Sequence, residues 1–411
     1  MSKTNKLKIF NDPIYGFISI PSELIYDLIE HRYFQRLRRI SQLGLSYLVY
    51  PGAHHTRFHH ALGSMHLMQK AVETLRQKNI NISKDEEQAL YIAILLHDIG
   101  HGPFSHAMEH SIVNIHHEDI SILFMNKLNQ EFKGKLSLAI EIFKGNYHRK
   151  FLHQLISGQF DMDRMDYLKR DSFYSGVAEG NINSERLIQM INVVDDHLVI
   201  DEKGIYSVEK FLVARRLMYW QAYLHKTSIV AEQMLMKALQ RAKELTEKGQ
   251  TLSCGSVFSF FLENKIDETN FDDSVLEKFS KLDDYDVVSA LKEWQNCEDY
   301  VLSRLSQMLI NRDLFKIEIS SEKISKERIT ELQNLLAQKE KITAKETKYF
   351  IFKGKISNKA YDKSFEPILI LHKNGKTEDL ISASDKSYLK SLSEEVSKYY
   401  LCYPKIIRDG F

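Results

Sequence analysis

Histidine is unevenly distributed along this chain: His54, His55, His59, His60, His97, His101, His106, His110, His116 and His117 all fall within one third of it. The adjacent pair His97 and Asp98 closes an apolar run, AlaLeuTyrIleAlaIleLeuLeu, just before Gly100. An imidazole and a carboxylate side by side in an apolar setting are costly unless each has a partner, and one divalent cation satisfies both. An isolated pair of this kind is more often a core histidine beside a capping carboxylate. Two further runs supply the context that favours a metal. The first is TRFHH at 56–60. The second is DMDRMDYLKRD at 161–171, in which Asp163, Tyr167 and Asp171 recur at i, i+4 and i+8 and share one face of a helix. Alone, such a charged run would be a solvated helix. Beside a metal it offers a ligand, basic groups for phosphate and a polar wall.

The elements that must position these groups are mainly helical. Residues 14–20, around Gly16 and before Pro21, predict a short strand or hairpin arm, and Ser22 is the N-cap of a helix carrying Leu24, Ile25, Leu28 and Ile29. Residues 86–99 form a helix apolar on nearly all sides, which belongs in a core and presents His97 and Asp98 from the floor of a cavity. Residues 195–206 read as a hairpin turning at AspGluLysGly, and 208–248 as a long helical region. The stretch 252–310 is helical in pattern. Beyond about Phe315, strand-like segments at 349–352 and 367–371 alternate with Lys-rich helical pieces. The fold class expected is mainly α, with short β-hairpins and a small C-terminal α+β lobe. The expected division is 1–250, a helical extension over 251–314, and a lobe over 315–411.

Composition narrows the function classes. The 411 residues are 43% hydrophobic and 27% charged, ordinary for a globular chain. With 56 basic against 55 acidic residues the formal charge is +1, so no global field draws the chain to nucleic acid or to an anionic membrane. Cys254, Cys297 and Cys402 lack CxxC spacing, which disfavours a thiolate zinc site or a disulfide framework. The N-terminal MSKTNKLKIF has no apolar stretch of the secretory kind, and no run of roughly 18 apolar residues suggests a membrane span. The expectation is a cytoplasmic protein.

The ordered set His60, His97-Asp98, Asp163 resembles the metal-dependent phosphohydrolases of the His-Asp (HD) superfamily. With KIFNDPIYG at 8–16, FQRLRRISQLG at 34–44, PGAHHTRFHH at 51–60, LHDIGHGPFSH at 96–106, the 161–171 run and YLHK at 223–226, the chain is similar to the deoxynucleoside triphosphate triphosphohydrolase (dNTPase) branch typified by the SAM-and-HD-domain protein. These matches span residues 8 to about 230. The last hundred residues resemble that family's C-terminal lobe only loosely.

The resemblance implies a metal held by His60, His97, Asp98 and Asp163. Mixed nitrogen and oxygen ligation with open positions suits Mn²⁺, Fe²⁺, Ni²⁺ or Zn²⁺, with Mg²⁺ on the substrate phosphates. The reaction implied is attack of a metal-activated water on the α-phosphorus, giving nucleoside and intact triphosphate. The leaving 5′-oxygen calls for a proton donor, His106 first and His101 second, and the family's His-acid pair maps to His117 and Glu109. Arg57, Arg164 and Arg215 are the expected phosphate contacts. Gln42 and Leu43 would line the sugar, Tyr167 and Asp171 would bond the 3′-hydroxyl, and Tyr223 would wall the ring. A nucleotide activator site at subunit contacts would use Lys8, Asn11, Glu30, Gln35 and Arg38, in a homo-oligomer expected to be a dimer or tetramer. Two rival readings are an HD-domain phosphatase or phosphodiesterase acting on another nucleotide, and a non-catalytic protein that binds nucleotide or nucleic acid.

Overall fold

In the computed structural model, residues 8–104, 106–109, 111–362, 366–385 and 388–410 are described, the side chains of His106, Tyr388, Arg408 and Asp409 excepted. Three helices build the floor of the functional region. Arg57–Gln77 packs against both Lys84–Leu96 and Met162–Ser175. Local chemistry dictates where each begins. Thr56 caps the first, and the His59 ring reaches back to the Thr56 backbone N–H at 3.2 Å, where a Glu or Gln normally closes such a box. Ser83 caps the second, with Glu86 returning a bond to the Ser83 N–H at 2.8 Å. Asp161 caps the third by accepting the Arg164 N–H at 2.7 Å. That helix stops at Gly176, whose φ of 75° is the left-handed conformation that glycine adopts without strain.

The Lys84–Leu96 helix is buried continuously from Ala89 to Leu96, as its all-round apolar pattern requires. It ends three residues earlier than the pattern predicts, so His97 and Asp98 lie in the turn that follows it. Gly100 is required in that turn: a Cβ there would run into the His117 carbonyl and the Ser121 N–H of the next long helix, His117–Glu131. Ser121 fastens the same contact, accepting the Gly100 N–H at 2.9 Å and donating to the His97 carbonyl at 2.8 Å.

Strands are few and short. Ile9–Asp12 and Gly16–Ser19 form an antiparallel arm. A second hairpin pairs Ile191–Val194 with His197–Asp201, turning at Asp195 and Asp196, both at positive φ (49° and 61°). This corrects the expected turn at residues 201–204: aspartate tolerates the left-handed region a two-residue hairpin loop demands, and 202–204 instead form a 3₁₀ turn leading into the helix Ile205–Met218. The long helical region expected over 208–248 is interrupted by a π-helical turn, Tyr219–Tyr223, before the helix Lys226–Glu247.

Toward the C-terminus, Lys316–Ser320, Val396–Tyr403 and Phe352–Asn358 form an antiparallel sheet with Val396–Tyr403 in the centre. The strand expected at 349–352 is displaced, because Thr347–Phe350 is a helical turn and pairing starts at Phe352. Leu369–Leu371 runs parallel to His197–Asp201 and antiparallel to Thr377–Asp379, joining the late segment to the earlier hairpin. The mainly helical architecture with small sheets is thus the one expected. Among the described residues no helix is long and apolar enough to cross a membrane, and all three cysteines are free.

Candidate active site

The His60 and His97 Nε2 atoms lie 3.3 Å apart, and Asp163 Oδ1 is 3.0 Å from the first and 3.4 Å from the second. These three could hold a metal ion, and Asp98 borders them, with Oδ1 3.5 Å from His97 Nε2 and Oδ2 3.7 Å from His60 Nε2. The opposite ring nitrogens fix the protons. His97 Nδ1 sits 2.6 Å from the Ile94 carbonyl and His60 Nδ1 sits 2.8 Å from the Asp166 carboxylate. Both acceptors require N–H at Nδ1, so each neutral ring turns a bare lone pair toward the other and toward two carboxylates. Burial opposes charge on His60, yet Asp163 and Asp166 hold its imidazole up to about 10. A site that draws a proton this strongly onto imidazole suits a divalent cation in its place. Two imidazoles and two carboxylates are the right donors for one.

The carboxylates respond in kind. Burial alone would raise Asp98, but Arg57, His97 and His101 hold it well below the usual carboxylate range. Burial is likewise overcome at Asp163, whose carboxyl is held low by His60 and His97 whenever those rings take up a second proton on the nitrogens facing it. Arg57 forms an ion pair with Asp98, and Arg164 with Asp161. Arg215, in the last turn of the Ile205–Met218 helix, lies over the Tyr219 ring, with Nε and Nη1 buried and unbonded among the described residues. Its charge acts on the Tyr167 phenol.

From this cluster a cavity of about 460 Å³ extends between the Gly44–Leu48 turn and the Lys226–Glu247 helix. Its walls include Gln42, Leu43, Arg57, Asp98, His101, His117, Asp163, Tyr167, Asp171 and Tyr223. Asp163, Tyr167 and Asp171 do share the helix face that faces it. Asp171 is buried, with one oxygen 2.7 Å from His55 Nε2 and the other accepting the Tyr223 hydroxyl at 2.8 Å. On another wall the His101 and His117 rings stack with centroids 3.9 Å apart, and His117 Nδ1 is 3.0 Å from Glu109. His116, exposed, reaches the same carboxylate at 3.8 Å. Burial and Arg57 push the His101 imidazole well down. The His106 side chain lies outside the described residues.

The expected activator residues sit elsewhere on the surface. Arg38 donates to Gln35 at 2.8 Å and covers the Phe58 ring; Glu30, exposed at the end of its helix, acts on the Arg38 charge. Lys8 lies over the Tyr26 ring, and Asn11 is exposed in the first strand. Sequence reading missed Asp166, which accepts from Arg170 at 2.9 and 3.0 Å while holding His60; Arg170 in turn reaches Asp12 at 2.8 Å. Its signal was the i, i+4 spacing of Asp166 and Arg170 inside the acidic run.

Residues 57–171 match the HD domain and residues 182–253 the HD associated region, the two lying in tandem across the site. The chain belongs to the HD-domain phosphohydrolase family. It is similar to a crystal structure of a phosphohydrolase from Bacteroides thetaiotaomicron, 52% identical with a TM-score of 0.94, over 97% of this chain and 100% of that one. It is 34% identical to the uncharacterized protein YwfO of Bacillus subtilis, over 99% of this chain and 95% of that protein. The deoxynucleoside triphosphate triphosphohydrolase SAMHD1 homolog of Dictyostelium discoideum is 29% identical over 79% of this chain, which spans 65% of that protein.

Proposed function

We propose that this phosphohydrolase converts dNTPs to deoxynucleoside and inorganic triphosphate. The observation that carries the reading is the continuous cavity: it starts at Asp98 and Asp163 and runs on past Gln42, Leu43, Tyr167, Asp171 and Tyr223, leaving space for a nucleoside beyond the phosphate-cleaving groups. The likeness to SAMHD1 homologues supports the same substrate class. A divalent cation bound by His60, His97, Asp98 and Asp163 would supply Lewis-acid polarisation of phosphate and water.

The remaining work falls to the chain itself. Arg57 lines the cavity and, with Arg164 and Arg215, offsets the charge of the polyphosphate. His106 is the first candidate proton donor to the leaving 5′-oxygen and His101 the second, and Glu109 orients His117 beside His101. The Asp171–Tyr223 bond holds the tyrosine as a wall against the sugar. A nucleotide activator near Lys8, Asn11, Glu30, Gln35 and Arg38, and a homo-oligomer, belong to the same proposal.

The test is incubation with each dNTP, singly and mixed, in Mn²⁺, following nucleoside and triphosphate by ion-pair chromatography. Triphosphate release by wild type and its loss in Asp98→Ala is the expected result. Turnover confined to mixtures would identify activation. Release of orthophosphate or a linearised nucleotide would overturn the reading in favour of another phosphate ester.

A further inference from the structure

At the end of the cavity formed by the Lys226–Glu247 helix, two polar side chains one turn apart, Ser228 and Glu232, line the wall with Leu224 and Leu235. Ser228 is buried and its hydroxyl has no hydrogen-bond partner among the described residues. Gln42, on the facing segment, has a buried side-chain carbonyl that is also unbonded among the described residues. Glu232 is partly buried, and among the described residues no ion pair or hydrogen bond reaches its carboxylate. Burial raises this carboxyl above its ordinary range, with no cation opposing the effect. Polar groups withdrawn from water without partners are unfavourable for the free protein, and the natural compensation is a ligand that supplies what they lack.

We propose that Glu232, with Ser228, reads the nucleobase and selects one that presents adjacent N–H donors, guanine first, adenine and cytosine next, thymine last. The inference rests on the dNTP reading above. An ionised carboxylate only accepts, and its two oxygens match the paired N1–H and N2–H donors of guanine, while a serine hydroxyl can donate to the neighbouring O6. Adenine and cytosine offer one amino group beside a ring acceptor. Thymine has a single N–H flanked by two carbonyls, which would face the carboxylate oxygens directly. Leu224 and Leu235 beside them accept any base without distinguishing it.

The test is pairwise competition between dGTP and dTTP in one Mn²⁺ mixture, so that nucleotide activation acts on both and the product ratio reports relative kcat/KM. Wild type is expected to favour dGTP by about tenfold or more, in line with one good bidentate contact. Glu232→Gln, nearly isosteric and expected to melt no lower than wild type, should bring the ratio toward one, and Ser228→Ala should reduce it partway. Triphosphate release from both nucleotides with a ratio unchanged in Glu232→Gln overturns the base assignment and leaves the triphosphohydrolase reading intact. If no dNTP yields triphosphate, that reading fails, and equilibrium binding of deoxyguanosine and thymidine then decides the assignment. Tighter deoxyguanosine binding abolished by Glu232→Gln supports it; equal binding of the two nucleosides overturns it.

Discussion

The Asp166 carboxylate lies 2.8 Å from His60 Nδ1, on the side of the ring away from the other candidate ligands, and Arg170 grips both of its oxygens. Asp166 therefore sets the orientation and basicity of His60 without facing the cation site. Asp166→Asn is expected to weaken Mn²⁺ binding by about 10- to 100-fold, the range typical of groups that orient a metal ligand. Isothermal titration with the metal checks this. An unchanged affinity would show that His60 needs no help from Asp166.

Metal removal should be visible in stability. A cation binding only the folded chain raises stability in proportion to the logarithm of its concentration over Kd. EDTA is expected to lower the Tm of wild type and to have no effect on His97→Ala, measured by differential scanning fluorimetry across an Mn²⁺ series.

Gly63 lies one turn beyond His60, and a Cβ there would collide with the Asp166 carboxylate and the Arg170 guanidinium. Gly63→Ala is expected to cost about 1–3 kcal/mol, as overpacking of a tight interior does. It should also loosen the metal, since the displaced carboxylate is the one holding His60. Urea unfolding and metal titration of the same variant test both effects.

Sequence legibility was greatest where chemistry is local. His97 and Asp98 are adjacent, and the face shared by Asp163, Tyr167 and Asp171 follows from helical spacing alone. The His60–Asp166 bond joins residues 106 apart, so no periodicity announces it. Asp284 was equally hidden: it accepts the Ser41 N–H at 2.8 Å and the Phe104 N–H at 2.9 Å, tying together two segments that border the cavity. Glu232 sits in an amphipathic helix, where a glutamate reads as solvent-facing until the opposite wall is known. The hairpin was misplaced because AspGluLysGly is the stronger turn signal on paper, while the pairing register selected Asp195 and Asp196.

Tyr223→Phe removes the hydroxyl bonded to Asp171 and leaves a buried carboxylate oxygen short of a donor. It is expected to lower stability by about 1–3 kcal/mol. If the tyrosine walls the sugar, kcat/KM for dNTPs should fall as well, more through KM than kcat. Steady-state kinetics with the product assay would reveal the opposite split if the hydroxyl took part in the reaction.

Glu86 shows how the scaffold should respond to acid. Burial raises its carboxyl, but the Ser83 N–H and Arg149, at 2.9 and 3.0 Å, outweigh that and hold it below the ordinary value. A depressed folded pKa means the carboxylate stabilises the fold above its unfolded value of about 4.3, and that this is lost as pH falls through the lower folded value. The Tm difference between wild type and Glu86→Gln is therefore expected to be full above about pH 5 and to shrink toward zero below about pH 4. Melting curves across that interval measure it.

The parallel pairing of Leu369–Leu371 with His197–Asp201 has a consequence for how the chain is made. During vectorial synthesis the His197–Asp201 strand leaves the ribosome with one edge bare, and its partner is encoded well over a hundred residues later. At about 5–20 residues per second that delay is on the order of ten seconds. Throughout it, backbone donors and acceptors on that edge are open to strands of neighbouring nascent chains. Slower translation of the final third would lengthen the exposure, so the yield of native protein is tied to the pace at which its last segment is delivered.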